Sequence, residues 1–246
     1  ISPMFRKLSL IAVQEQHDRD RFASLGIDLT KIHVTGSIKF DPAADRTPAH
    51  RPDFSHMLET LAAGKIIVLA ASTHDGEEAW IGKAILATGA FYLCVPRHAE
   101  RRAEVTRDLE SIGYQVTLRS QFSPTEQRDN ACLVVDSTGE LKDWTAHADL
   151  VIIGKSFLAE GGQNPAEAIM AQKPLIFGPH MENFEPLAST LVQQQAVSQV
   201  MDQAELTQSI VKLLADNKHA QQQIDRATAI LHQHHGATER SIALLS

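Results

Sequence analysis

Residues able to hold an anion or a sugar gather in short loops that each follow an apolar run. Ser72-Thr73-His74-Asp75-Gly76-Glu77-Glu78 follows Lys65–Ala71, and Pro96-Arg97-His98 follows Phe91–Val95. Asp136-Ser137-Thr138-Gly139-Glu140 follows Cys132–Val135, while Gly154-Lys155-Ser156-Phe157 and then Gly161-Gly162-Gln163-Asn164-Pro165-Ala166-Glu167 follow Leu150–Ile153. Gly178-Pro179-His180 follows Pro174–Phe177. Two readings stand for each loop. Ser72 and Thr73 are N-caps of the next helix, or their hydroxyls and amides hold an anion. Ser137 with Glu140 three residues on fits a capping box, and Gly139 would let a ligand approach the backbone. Arg97 projects from a strand end to pair two-pronged with phosphate or carboxylate, or it pairs with Glu100 or Glu104 on the surface; Arg101 and Arg102 read as solvated. Asn164 as N-cap, Pro165 at the first helical position and Glu167 at the third start a helix. The double glycine before them is not needed for capping. It suggests amides facing a ligand, with Glu167 free to accept from a sugar diol. His180 is a ligand contact or a turn residue.

The elements that must carry these loops are legible as apolar runs alternating with amphipathic ones. Strands are expected at 8–13, 32–35, 65–71, 91–95, 115–118, 132–135, 150–153, 174–177 and 197–200. Helices are expected near 15–25, 54–63, 76–89, 98–112, 139–147, 164–172, 184–194 and 203–216, with a final one over about 219–245. This alternation predicts an α/β fold, a Rossmann-like doubly wound parallel sheet covered on both faces. Ligands of such sheets sit outside the carboxyl ends of the strands, where all the loops above lie. The stretch Phe40–Phe54 holds three prolines and few apolar residues, and reads as a linker.

Bulk properties exclude several classes. A formal net charge of −7 without a dense Lys/Arg block argues against nucleic acid as a partner. No apolar run approaches the roughly 18–20 residues of a spanning helix, so the chain is expected to be soluble. Cys94 and Cys132 sit in apolar runs and read as buried strand thiols of a reducing compartment. His232, His234 and His235 lack the i, i+4 pairing of helical zinc sites, so neither metal nor cofactor is expected. The fingerprints of dinucleotide sites, P-loops and serine hydrolases are absent from the sequence. The chain opens on Ile1 rather than methionine, which predicts a piece of a longer protein.

Taken in order, six segments resemble the C-terminal domain of the Kdo (3-deoxy-D-manno-oct-2-ulosonic acid) transferases of lipid A biosynthesis. They are Thr35-Gly36-Ser37-Ile38-Lys39-Phe40-Asp41, Ser72–Glu78, Pro96–His98, Ser137–Leu141, Gly161–Glu167 and Gly178–His180. Each is weak singly; six in order are specific. The resemblance implies the C-terminal half of a two-domain GT-B glycosyltransferase that moves Kdo from CMP-Kdo to lipid IVA, inverting and metal-independent, in lipopolysaccharide core biosynthesis. It implies residues 1–40 as the remnant of an N-terminal acceptor domain, 41–63 as linker and linking helix, and 64–246 as the CMP-Kdo-binding domain with its crossing final helix. By the same resemblance CMP is contacted by Pro96, Arg97, Thr138, Gly139, Glu140, Asn164, Pro165, Ala166 and Glu167, the last on the ribose hydroxyls. Further donor contacts are expected among Ser72, Thr73, His74, His98, Lys155, Ser156, Gly161, Gly162, Gln163 and His180. The general base, the lipid-binding surface and the membrane anchor belong to the N-terminal domain, at the cytoplasmic face of the inner membrane. The fragment itself is therefore expected to bind donor and transfer nothing.

Three positions depart from the family. Gln163 and Ala166 stand where it usually has His and Leu, and Lys155 stands where Gly is common. Gln163 cannot titrate, while Lys155 would add a cation near the donor. Two rivals remain: a UDP-sugar transferase or UDP-N-acetylglucosamine epimerase of the same fold, and a non-catalytic nucleotide-binding or interaction module.

Overall fold

The computed structural model describes residues 2–5, 7–41, 48–124 and 129–245. Residues 42–47 of the expected linker lie outside these. The chain divides into two compact units, Ile1–Arg46 with Ala229–Ser246, and Thr47–Thr228.

The first unit contains α1 (Ser2–Phe5), β1 (Ile11–Val13), α2 (Gln16–Ser24) and β2 (Ile32–Val34). The two strands pair in parallel, Ile11 with Ile32 and Val13 with Val34, over a small core of Ile11, Val13, Ile27 and Ile32.

The second unit runs α3 (Pro52–Ala62), β3 (Ile67–Thr73), α4 (Glu77–Leu86), β4 (Phe91–Pro96), α5 (Arg102–Ser111), β5 (Gln115–Leu118) and β6 (Ala131–Val134). It continues with α6 (Leu141–Ala146), β7 (Leu150–Ile153), α7 (Ala166–Met170), β8 (Leu175–Phe177), α8 (Leu187–Gln193), β9 (Ser198–Gln199) and α9 (Gln203–Ala215). Its seven strands form one sheet in the order β5-β6-β4-β3-β7-β8-β9, every adjacent pair parallel. The helix-covered, doubly wound parallel sheet read from the alternation is the observed architecture. After β3 the chain builds outward on one side, then crosses to β7 on the other, so the winding direction reverses between β3 and β7.

Both faces of the sheet are buried, which explains the continuous apolar strands. Val68 and Ala70 of β3, Tyr92 and Cys94 of β4 and Leu150 and Ile152 of β7 share one core with Ile81, Ala84 and Ile85 of α4 and Leu206, Ile210 and Leu213 of α9. On α3, Phe54 stacks on Trp144 of α6 with ring centroids 3.5 Å apart and planes 3° from parallel. α3 packs against β6, and α6 against β3. Cys94 and Cys132 are free and buried in neighbouring strands, as their apolar setting predicts; burial pushes the Cys94 thiol up to about 12.

The single final helix expected over 219–245 is two helices, α10 (Asn217–His232) and α11 (Ala237–Ala243). Gly236 at φ +75° breaks it, in a left-handed conformation that ends a helix cheaply only at glycine. The turn is held within the first unit. The buried Asp41 carboxylate accepts from the Gly236 and Thr238 amides at 3.1 and 2.9 Å, and Arg240 Nε donates to the Thr35 carbonyl at 2.9 Å.

Candidate functional site

The reversal between β3 and β7 creates the crevice at which open α/β sheets take their ligands. Two loops flank it, 72–78 after β3 and 154–163 after β7. Glu77, fully buried in the first turn of α4, fastens one to the other. Its carboxylate accepts from the amides of His74, Ser156 and Phe157, each at 3.0 Å, and from the Lys155 amide. Four N–H donors on one carboxylate offset the desolvation that burying it costs. Ser156 adds a second tie, donating to the Ile153 carbonyl at 2.6 Å and accepting from the Gly178 amide at 2.9 Å.

Several sequence expectations are corrected here. Ser72 and Thr73 are not caps, because α4 starts behind Gly76, leaving both at the buried end of β3. Thr73 donates to Glu78 Oε1 at 3.0 Å, and Ser72 adopts φ +56° at a β-bulge. Ser156 is also fully buried, so the Thr73 and Ser156 hydroxyls organise the loops, and Ser72 is buried at the bulge. The double glycine does not leave free amides. Gly161 N–H donates to Glu182 Oε2 at 2.6 Å, its carbonyl accepts from Asn183 N–H at 3.0 Å, and Gly162 N–H donates to the Lys155 carbonyl at 2.8 Å. The glycines are there for shape: φ is +111° and +68°, and a Cβ would strike Asn183 at Gly161 and come within 2.5 Å of Met181 Sδ at Gly162.

The side chains left at the crevice are His74, His98, Lys155 and Gln163. His74 Nε2 lies 3.2 Å from the Gln163 amide nitrogen, and the His74 and His98 rings meet edge to face at 5.8 Å. Burial first, and then the Lys155 charge, hold His74 below the usual histidine range. Lys155 is half-buried at φ +52°, a left-handed conformation that glycine adopts without strain. His180 sits behind the glycine loop, its amide on the Ser156 carbonyl at 3.0 Å and its ring 3.1 Å from Glu182.

Pro96 is buried at the end of β4, and the Arg97 amide donates to the Thr73 carbonyl at 3.0 Å. The Arg97 guanidinium is exposed and forms no ion pair with the described residues. The surface pairing offered as its alternative does not form: Glu104 is held by Arg101 at 2.7 Å, and Glu100 lies 3.4 Å from His98. Arg101 is corrected from solvated to structural. It donates to the buried Glu78 at 2.8 Å and reaches Asp75 at 3.4 Å, while Arg102 is exposed as expected. Hydrogen bonds that the guanidinium donates to Glu104 and Glu78 raise the Arg101 pKa. Burial raises that of Glu78, outweighing Arg101.

Helix α7 begins at Ala166, behind Pro165, and is five residues long. Asn164 Oδ1 accepts from the Ala166 amide at 3.0 Å, so Asn164 caps one residue earlier than a standard N-cap, and Glu167 lies in the first turn. At the end of β6 the expected capping box is replaced. Glu140 stands at the N-cap of α6, and the Ser137 hydroxyl bonds its carboxylate instead of a backbone amide. Arg119 at 2.7 Å and Arg51 at 3.3 Å also hold Glu140, whereas Thr138 and Gly139 are exposed. Among the described residues no group of three or more His, Cys, Asp or Glu could hold a metal ion.

The fold thus brings His74, His98, Lys155, Gly161 and Gln163 together, with Arg97 preceding His98 at the end of β4, and sets the Ser137–Glu140 turn two strands from β3 on the β4 side. Glu77, Arg51, Arg101, Arg119 and Glu182 were not singled out from sequence as site residues. An acid directly after a glycine carries no local sign that it will be buried under a loop 78 residues on.

The sequence model for 3-deoxy-D-manno-octulosonic-acid transferase (kdotransferase) matches residues 1–42. Over 252 residues and the whole chain, the sequence is 32% identical to the 3-deoxy-D-manno-octulosonic acid transferase of Haemophilus influenzae, covering 58% of that protein. It is 32% identical to the same-named protein of Bordetella pertussis over 97% of the chain and 56% of that relative. The chain therefore spans somewhat over half the length of these relatives. In structure it superposes on the C-terminal CMP-Kdo binding domain of WaaA from Acinetobacter baumannii with a TM-score of 0.66 at 24% identity, over 72% of this chain and 95% of that one. It also superposes on Anabaena HepE in complex with UDP-glucose, TM-score 0.56 at 16% identity, over 99% of this chain and 65% of that one. These likenesses give the fold alone, a Rossmann-like doubly wound parallel sheet shared with both proteins.

Proposed function

We propose that this chain, 32% identical along its whole length to the 3-deoxy-D-manno-octulosonic acid transferase of Haemophilus influenzae, is a member of that family and holds CMP-Kdo for transfer of Kdo to lipid IVA, the lipid A precursor, in lipopolysaccharide biosynthesis. The observation that carries this reading is a cation without an ion-pair partner among the described residues, Lys155, gathered with His74, His98 and Gln163 at the β3–β7 crevice, and a second such cation, Arg97, at the neighbouring end of β4. An acidic chain that keeps such charges at its ligand crevice is suited to an anionic donor.

In this reading Pro96 and Arg97, the Thr138–Gly139–Glu140 turn and the Asn164–Pro165–Ala166–Glu167 segment contact CMP. Arg97 faces the phosphate and Glu167 accepts from the ribose hydroxyls. Glu140 acts by fixing the Ser137–Gly139 turn, since Arg51 and Arg119 already hold its carboxylate. A base outside this chain takes the proton from an acceptor hydroxyl. The resulting oxygen attacks the anomeric carbon opposite CMP, the bond to the phosphate oxygen breaks, and configuration inverts. Arg97 meets the charge that develops on departing CMP, so the step runs without a metal. In the same reading the lipid IVA acceptor and the cytoplasmic face of the inner membrane are met mainly by an N-terminal domain of the full-length protein. The chain on its own binds donor and transfers nothing.

Calorimetric titration of the chain with CMP-Kdo, in chelator, tests the reading together with Arg97→Ala and Glu167→Ala. Both variants are expected to lose affinity by about tenfold or more with unchanged melting temperature. Unchanged affinity in both removes the assignment of CMP to this crevice.

A further inference from the structure

We propose that Lys155 is a specificity-determining residue that holds the carboxylate of the sugar acid in the donor; this rests on the donor reading above. Lys155 follows Gly154 at the end of β7, at φ +52°, a conformation disfavoured for any residue with a Cβ. Its backbone has structural work: the amide donates to Glu77 and the carbonyl accepts from Gly162 N–H at 2.8 Å. Glycine would do both without strain. What the lysine adds is the side chain.

That side chain does not serve the fold as an ion pair. It is half-buried and reaches back over the glycine loop, close enough that a Cβ on Gly161 would lie 3.5 Å from Nζ. Two carboxylates of the surrounding loops are engaged elsewhere, Glu77 by four backbone amides and Glu182 by the Gly161 amide and the His180 ring. The ammonium therefore forms no ion pair among the described residues, in a chain of net charge −7. Its neighbours His74 and Gln163 are hydrogen-bonding groups suited to sugar hydroxyls. A sugar-acid nucleotide carries two anionic groups, a phosphate and a carboxylate. The carboxyl edge of the sheet offers two cations on different strand ends, Arg97 after β4 and Lys155 after β7. Arg97 belongs with the nucleotide phosphate, which leaves Lys155, among the sugar-type contacts, for the carboxylate.

The test compares CMP, which has the phosphate alone, with CMP-Kdo, which has both groups. Calorimetry on the 246-residue chain is repeated with Lys155→Met, Lys155→Gly and Lys155→Arg. Lys155→Met and Lys155→Gly are expected to weaken CMP-Kdo by about ten- to a hundredfold, the worth of a charge-assisted hydrogen bond, and CMP by less than about twofold. Lys155→Arg should retain most of the affinity. Lys155→Gly should melt no lower than the parent, which separates a lost contact from a damaged fold. Equal losses for CMP and CMP-Kdo would move Lys155 to the phosphate and overturn the assignment, as would unchanged affinity for both. A parent chain that binds CMP but not CMP-Kdo overturns it while leaving the nucleotide reading. Binding of neither by a folded parent ends both.

Discussion

Replacing Glu77 with glutamine keeps its volume and removes its charge at a point where four backbone amides converge. In the parent, Oε1 accepts from Ser156 and Phe157, and Oε2 from His74 and Lys155. An amide side chain keeps one accepting oxygen, enough for two of these donors, and turns its NH2 group on the other two. A buried N–H without an acceptor costs about 1–3 kcal/mol, so the two orphaned amides cost about 2–6 kcal/mol. Removing a buried charge returns part of that, for a net loss of about 2–4 kcal/mol. For a chain of this length the melting temperature should fall by roughly 5–15 °C. Trp80 packs on Phe157 with ring centroids 4.9 Å apart, so its fluorescence reports this loop, while far-UV circular dichroism in urea reports the whole fold. Glu77→Gln should change Trp80 emission under native conditions and shift the urea midpoint downward. A variant within about 0.5 kcal/mol of the parent, with unaltered emission, would refute the account of Glu77 as the fastener of the crevice.

Other perturbations bear on separate parts of the molecule. Arg101→Met leaves the buried Glu78 carboxylate without its guanidinium and should cost about 3 kcal/mol at pH 7, by analogy with broken buried pairs. Because burial already raises the Glu78 pKa, the cost should shrink as the pH falls to 4 and the carboxyl takes up a proton; a pH-independent loss in urea titrations would contradict this. His234 Nδ1 accepts from the Ser37 amide at 3.1 Å, and burial, then Arg240, lower its pKa below 6.5. A depressed histidine stabilises the fold fully above its unfolded value and loses that contribution as pH falls through the folded one. Hydrogen-exchange protection of the Ser37 amide should therefore drop between pH 7.5 and 5, and constant protection would count against the bond. Trp144→Ala removes a fully buried indole stacked on Phe54 and should cost about 3–5 kcal/mol in chemical denaturation.

The sheet could be read from sequence because its strands are buried on both faces and so appear as uninterrupted apolar runs such as Val68–Ala71 and Leu150–Ile153. The positions of the crevice loops followed from the same pattern, since any loop at a carboxyl strand end of a doubly wound sheet is a ligand loop first. What each residue does inside those loops did not follow. Ser72, Thr73 and Ser156 look like exposed polar loop residues, and only the bulge at Ser72 and the long-range bond network bury them. Gly161 and Gly162 suggested open amides. Their need for positive φ and for room beside Asn183 and Met181 depends on a segment 20 residues further on. Arg101 looked solvated because its partner Glu78 is 23 residues upstream, a separation that helical periodicity cannot register. The break in the final helix was foreshadowed by Gly236, but the carboxylate that stabilises it, Asp41, lies 195 residues away.

The central claim is that the β3–β7 crevice selects a cytidine nucleotide. The most direct measurement is calorimetric titration of the chain with CMP and, separately, with UMP, both in chelator. The account predicts that CMP binds measurably and UMP at least about tenfold more weakly, a difference of about 1.4 kcal/mol. Equal binding of the two, or preference for UMP, would contradict it and favour a uridine-nucleotide enzyme of the same fold.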